Sequence, residues 1–276
     1  MSPPYRQSTP VRSGPELAWH EYVDMRVRAV ALLLGARETQ YSALIAADVL
    51  EQAEYPEAFP HLLLAAAPYH SSRLDTSQPR CSPRAASKRA ESGWCLSPAV
   101  CYHVYAHLAG SALSEPIVLT ARGTCFRDES HCAPGIRQVE FAMREIVLLG
   151  PARWVLETAD VIAHAIESLA RELGLDGEWR AATDPFFLPA ARGKAALQRL
   201  TGAKHEYQLR GDTALAIASV NRHGTFFGRR FQITAADGEP MHSACIAVGL
   251  DRWSHAARPA GEEEPDASQA GQEVRR

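Results

Sequence analysis

The feature that most narrows the fold is a change of hydrophobic rhythm near Cys95. Upstream, apolar residues recur at three- and four-residue intervals: Val23, Val27, Val30 and Leu34, then Leu44, Ala47 and Leu50. That spacing gathers them on one side of a helix, and Gly35 interrupts it, so two helices are expected. Downstream, the apolar runs are short and bounded by Gly and Pro. PIVLTARGTCFRDES, ALAIASVN, FFGRRFQIT and HSACIAVGL read as strands, with one helical stretch from Val155 to Leu173 among them. FQIT and MHSACIAV flank AADGEP, whose Asp237-Gly238 pair favours a hairpin turn. Helices and strands in separate blocks with hairpin joins predict an α+β fold around an antiparallel sheet.

The 276 residues, 46% hydrophobic, are enough for one large domain or two small ones. Lys and Arg number 29 against 32 Asp and Glu, a formal charge of -3, which removes the class of polybasic nucleic-acid wrappers. The longest wholly apolar runs, Ala29–Leu34 and Leu62–Ala67, fall far short of the ~20 residues of a membrane span. The N-terminus lacks the apolar core of a secretory signal, so a cytoplasmic location with reduced thiols is expected. Cysteines 81, 95, 101, 125, 132 and 245 form no CxxC pair. Each is a buried small hydrophobe, a metal ligand or a reactive thiol.

Residues 1–15 carry four prolines and read as a flexible lead-in. Residues 70–93 hold Arg73, Arg80, Arg84, Lys88 and Arg89 against Asp75 and Glu91, an exposed basic loop that is either a solvated insertion or a docking surface for an acidic partner. The tail 257–276 loses its large apolar residues and reads as disordered and acidic.

Chemistry concentrates in two segments. In the first, Arg127 and Glu129 lie two apart on what reads as a strand, so they share a face, followed by Arg137, Gln138, Phe141 and Glu145. A guanidinium grips phosphate through paired hydrogen bonds, and a carboxylate accepts from an amino group such as that of adenine. An ordinary ion pair is the plainer reading of the same two residues. In the second, HSACIAVGLDRW, an apolar strand ends at Gly249 and Arg252 follows at a helix start, a place suited to a terminal phosphate.

Together, FRDE and GLDR resemble motifs two and three of the class II aminoacyl-tRNA synthetase core. LSPAVCYHVY, CFRDES, RQVEFAMREIVLLG, TDPFF, KHEY, AIASVNRHGTFFGRRF and SACIAVGLDRW narrow this. Between about Ala53 and His255 they resemble the amino acid:carrier protein ligases, truncated homologues of the atypical archaeal seryl-tRNA synthetase core. The resemblance implies a class II synthetase-like catalytic domain over 16–256 and a usual homodimer. It implies ATP-dependent activation of a small amino acid, such as glycine or alanine, as an aminoacyl-adenylate. Transfer then goes to the phosphopantetheine thiol of a carrier protein, with neither nucleic acid nor membrane as partner.

By that resemblance, Arg127 holds the α-phosphate, Arg252 the γ-phosphate, and Glu129 reads the adenine amino group. Arg137 and Gln138 close over the nucleotide, Phe141 stacks on adenine or is plain core, and Lys204 adds positive charge. The backbone of Ala216, Ile217, Ala218 and Ser219 lets ATP approach. Cys101, Glu145 and Cys245 match the family's zinc ligands, leaving a fourth position for the substrate's amino group, so Glu145 also counts as substrate-binding. Cys95, Cys125 and Cys132 are competitors off the matched positions. Asn221 either faces the substrate pocket or is a structural amide. Where class II enzymes commonly place a magnesium-binding carboxylate, this chain reads Leu215-Ala-Ile-Ala-Ser-Val-Asn221, so Mg²⁺ is expected with ATP but without a nameable ligand.

A regulatory paralogue that binds without turnover and a tRNA-charging enzyme are the alternatives. Retention of both arginines, Glu129 and the trio argues against the first. The length and charge leave no evident tRNA-binding domain, which argues against the second.

Overall fold

The computed structural model describes residues 11–67, 93–184, 203–211 and 215–257. In chain order the elements are α1 (Gly14–Leu33), β1 (Arg37–Glu38), β2 (Leu44–Ala46), α2 (Ala47–Gln52), α3 (Tyr55–Ala58), β3 (Ala65–Ala66), β4 (Trp94–Leu96), α4 (Cys101–His107), β5 (Ala112–Leu113) and β6 (Ile117–Phe126). There follow β7 (Glu140–Gly150), α5 (Ala152–Glu172), β8 (Gly177–Ala181), β9 (Lys204–Leu209), β10 (Ala216–Gly224), α6 (Phe226–Arg230), β11 (Thr234–Ala235), β12 (His242–Gly249) and α7 (Leu250–Ala256). The main sheet runs β1-β6-β7-β12-β10-β9-β8 and is antiparallel except for the parallel pair β1–β6. The α+β expectation and the strands at 117–126, 216–224 and 242–249 correspond to this sheet.

Both long helices end as their sequences dictate. After α1, Gly35 at φ +84° donates to Leu32 O while Ala36 donates to Ala31 O, which closes the last turn on a left-handed glycine. Gly174, at φ +77°, ends α5 in the same way, with Leu175 donating to Ala170 O.

Period-two alternation gives the sheet two different faces. On one, Ile146 and Leu148 of β7, Ala244, Ile246 and Val248 of β12, and Ala218 and Val220 of β10 meet Val23, Val27 and Ala31 of α1. Val155, Ala159, Ile162 and Ile166, the buried stripe of α5, complete that layer. On the other face, Leu119, Val147, Leu149 and Cys245 pack against Cys101, Val104 and Tyr105 of α4 and Phe227 and Phe231 of α6. Arg144, on the helix face and 3% exposed, fixes which way β7 points. Its Nε and Nη2 grip Asp24 at 2.6 and 3.0 Å, and its Nη1 reaches Glu38 at 3.1 Å. With Arg144 held there, its neighbour Glu145 must face the opposite side.

Three local expectations are corrected. Leu44 opens strand β2, not the second helix, which is confined to Ala47–Gln52. FFGRR forms helix α6, because Phe227 and Phe231, four apart, both bury against Tyr105. The Asp237-Gly238 turn forms, with Gly238 donating to Ala235 O. The strand before it is short: it is tied across the turn by Ala235 N–H to Glu239 O at 2.8 Å and Met241 N–H to Ile233 O at 2.9 Å, and it also pairs in parallel with β5. Helix α1 begins at Gly14, inside the expected lead-in, and residues 70–92 and 258–276 lie outside the described residues. No helix among the described residues is long and apolar enough to cross a membrane.

Candidate active site

The second face of the sheet carries a cleft of about 1560 Å³. Its floor is β7, β12 and β10, which present Glu145, Cys245 and Ala247, and Ser219, Asn221 and His223. In the register, Cys245 sits opposite Val147 and Asn221, while Glu145 sits opposite Ala247. The cysteine and the glutamate are therefore diagonal neighbours on one face.

Cys101 reaches them from the first turn of α4. Gly123 on β6 allows that approach, since a Cβ there would stand 2.8 Å from Cγ2 of Val100, the residue before Cys101. The Val100 backbone donates to Glu145 Oε1 at 2.8 Å, tying helix start to strand. One ligand atom from each of Cys101, Glu145 and Cys245 lies within 4.8 Å of the others, and all three residues are buried. Cys95 and Cys125 are buried in separate apolar clusters, and Cys132 lies beside the Glu129 carbonyl.

The electrostatics of the trio is set by burial and by the contacts among its members. Burial pushes the Glu145 carboxyl up to about 8, Cys245 adding to the rise against the Val100 amide. Its Oε2 has no hydrogen-bond partner among the described residues. The thiol–thiol contact with Cys245, then burial, push Cys101 well above its usual range, and the same contact holds Cys245 well below, helped by His223 and Asn221. Two sulfurs, one carboxylate oxygen and an orphaned second oxygen suit a borderline-soft divalent cation, zinc above magnesium or calcium.

The arginines stand at the other end of the same cleft. Arg127 follows directly after β6, where a tight turn, Glu129 N–H to Arg127 O at 2.8 Å, replaces the expected strand. Its guanidinium donates to Pro98 O at 3.3 Å and lies over the Phe141 ring at 5.1 Å. Glu129 pairs not with Arg127 but with Arg137, at 2.9 Å. Gln138 is 5% exposed and its Oε1 has no partner among the described residues. Arg252, in the first turn of α7, donates to Ile136 O at 2.7 Å and Ala216 O at 2.6 Å. Burial first, then the charges of Arg127 and Arg137, pull its pKa down, with Glu206 and Glu129 opposing.

Lys204, on β9, is clamped by Asp184 at 2.6 Å and Glu206 at 3.1 Å. Burial works against its charge, but the two carboxylates outweigh that and leave its pKa raised. Ala216, Ile217, Ala218 and Ser219 line the cleft along β10, and Asn221 donates to Ser219 Oγ at 3.1 Å and Cys245 Sγ at 3.5 Å. All the expected site residues therefore border one cavity.

Sequence reasoning missed Asp184, Glu206, His223 and Asp251. His223 shares the period-two face of Ser219 and Asn221, a signal present in the sequence. Asp251 adjoins Arg252 but is buried, accepting from the Ala142 N–H and from Arg12.

No protein-family model matches the chain. Amino acid–[acyl-carrier-protein] ligase 1 of Bradyrhizobium diazoefficiens is 31% identical over 254 residues, 84% of this chain and 75% of the relative. The chain belongs to the amino acid–[acyl-carrier-protein] ligase family. A second such ligase from the same organism is 30% identical over 246 residues. The type-2 serine–tRNA ligase of Methanocaldococcus jannaschii matches at 30% identity over 172 residues, only 33% of its own length. Among solved structures, M. kandleri SerRS in complex with A. aeolicus tRNASec superposes with a TM-score of 0.76 at 20% identity, over 91% of this chain. Giardia lamblia prolyl-tRNA synthetase does so with a TM-score of 0.69 at 15% identity. These establish a class II synthetase fold, of which the chain spans about half the length of the solved enzymes. In this chain, the trio and the arginines fall in one cleft of that fold.

Proposed function

We propose that this protein activates a small amino acid, glycine or alanine, with ATP and transfers it to the phosphopantetheine thiol of a carrier protein. The observation that carries the reading is the convergence of Cys101, Glu145 and Cys245 on the wall of an arginine-bordered cleft, in a member of this ligase family. In the first step a carboxylate oxygen of the amino acid attacks the α-phosphorus of ATP and expels pyrophosphate. In the second, the carrier thiol's sulfur attacks the adenylate carbonyl, AMP leaves, and the thiol gives up its proton.

Arg127 is placed to hold the α-phosphate and to balance the charge that grows there as the bond to pyrophosphate breaks. Its own contacts are to a neutral carbonyl and a ring, so no carboxylate competes for its charge in those contacts. Arg252, anchored by two carbonyls that leave its charge intact, would hold the γ-phosphate. Glu129, held by Arg137, offers an oxygen to the adenine amino group. Gln138 supplies an unengaged polar atom, and Phe141 a ring on which the adenine would stack. Lys204, bracketed by carboxylates, stiffens the side of the cleft rather than presenting a bare charge. The small side chains at 216 and 219 keep the β10 floor low beneath the ATP.

Cys101, Glu145 and Cys245 would hold one zinc ion per chain. That ion would supply a ligand position for a neutral amine, which favours amino acids over hydroxy acids. Asn221 is placed to orient both the Cys245 sulfur and the substrate. Magnesium would enter as counter-ion of ATP. Glu129, Asp184 and Glu206 each pair with a cation of the chain itself, and no residue is assigned to that ion. A homodimer, a cytoplasmic location and the exclusion of tRNA as acceptor complete the reading. Mass spectrometry of a holo carrier protein incubated with the enzyme, ATP and glycine or alanine tests it. The expected result is an aminoacyl mass gain on the holo form and none on the apo form or on tRNA. No gain on any holo carrier, with no amino-acid-dependent pyrophosphate exchange, would leave only the binding paralogue.

A further inference from the structure

His223 lies on the cleft face of β10, two residues beyond Asn221. Its Nε2 is 3.9 Å from Cys245 Sγ. Its other nitrogen, Nδ1, is 3.2 Å from the Tyr105 hydroxyl and 3.4 Å from Ser243 Oγ. Phe227 packs edge-on to the ring at 4.8 Å, and Tyr105 stacks on Phe227 at 4.1 Å. The ring is thus held in place from two sides. A hydroxyl that donates into Nδ1 leaves the ring proton on Nε2, the nitrogen turned to the sulfur.

We propose that His223 is a positioning residue of the Cys101–Glu145–Cys245 centre, donating Nε2–H to the Cys245 sulfur and so setting how tightly the trio holds zinc. The inference rests on reading the trio as a metal ligand set. Its physical basis is charge accounting. Two thiolates and a carboxylate carry one more negative charge than a divalent cation cancels, and all three are buried. The residual charge needs donors near a ligand atom, and two side-chain N–H groups converge on Cys245: Asn221 at 3.5 Å and His223 at 3.9 Å. The Tyr105–His223–Cys245 chain also fixes the direction of the donor, so the sulfur is held for coordination before the metal arrives. Partners of this kind typically change metal affinity by about 10–100-fold.

The test is competition for zinc between the purified full-length chain and a chromophoric chelator, with the cobalt-substituted absorption spectrum as second readout. His223→Phe keeps an aromatic ring and removes the donor. His223→Gln keeps an N–H at similar reach. Expected is a loss of zinc affinity of about 10–100-fold in His223→Phe, near wild-type affinity in His223→Gln, and a shifted sulfur-to-cobalt charge-transfer band in the first only. Tyr105→Phe, which removes one hydroxyl, should fall between them and serves if His223→Phe does not fold. Unchanged zinc affinity and cobalt spectrum in folded His223→Phe or Tyr105→Phe would overturn the proposal, as would an equal loss in His223→Gln. Wild-type protein that binds no zinc would instead overturn the reading of the trio.

Discussion

His20 offers a quantitative test of how the arginine end of the cleft is held in place. It is 1% exposed on α1, with Nε2 3.6 Å from Asp251, the residue before Arg252. Asp251 is already engaged by Arg12 and by the Ala142 N–H, so it does not draw a proton onto the histidine. Burial first, then the charges of Arg12 and Arg122, lower the His20 pKa from 6.5 to about 4, with Asp24 opposing. The folded state therefore keeps His20 neutral. Above pH 6.5 both states are neutral and the full stability is present. As pH falls toward 4 the unfolded chain binds a proton that the folded chain refuses, and stability is lost. The whole loss is about 3 kcal/mol, of which about 2 kcal/mol falls between pH 7 and pH 5. For a chain of this size that corresponds to a Tm lowered by roughly 4–8 °C. Because carboxylates titrate over part of the same range, the assay compares thermal melting of wild type and His20→Gln at pH 7 and pH 5. The variant should lose about 2 kcal/mol less than wild type between the two pH values. Parallel losses in the two proteins would show that His20 is not held neutral, and the packing argument around Asp251 would fail.

Other outcomes follow from the same contacts. Gly123→Ala puts a Cβ against Val100, and should cost about 1–3 kcal/mol in chemical denaturation while weakening zinc binding through the displaced Cys101. Asp24→Ala strips the two-pronged partner from buried Arg144 and should lower stability by about 3–5 kcal/mol, measured by urea unfolding. Arg127→Ala should slow amino-acid-dependent pyrophosphate exchange by roughly 10²–10³-fold while leaving the zinc content unchanged, as read by atomic absorption. Cys101→Ser or Cys245→Ser should each lose the metal in the same assay.

The parts of the fold legible in the sequence were those where one physical signal dominated. The 155–173 stripe has helical period and a glycine at its end, and HSACIAVG is too short and too apolar for much besides a buried strand. FFGRR is ambiguous in sequence because its two buried phenylalanines are four apart within a run that also fits a strand, and only Tyr105, distant in sequence, decides between them. Leu44 is ambiguous for a similar reason, its pairing with Leu96 being invisible locally. In the site, the trio's members stand 44 and 100 positions apart, so spacing alone carries no metal signal, and resemblance supplies it. The structure adds what spacing lacked: β7 and β12 register, and the space Gly123 leaves for α4. It also turned Glu129 from a partner of Arg127 into one of Arg137, because the strand ends at Phe126 and the backbone turns there.

Whether activation depends on the trio's metal is read from amino-acid-dependent exchange of pyrophosphate into ATP, measured on chelator-stripped protein before and after adding back one equivalent of zinc. Expected are little exchange in the stripped protein, recovery with zinc, and no recovery when Cys245→Ser is treated the same way. Full exchange without the metal, or recovery in Cys245→Ser, would contradict that dependence.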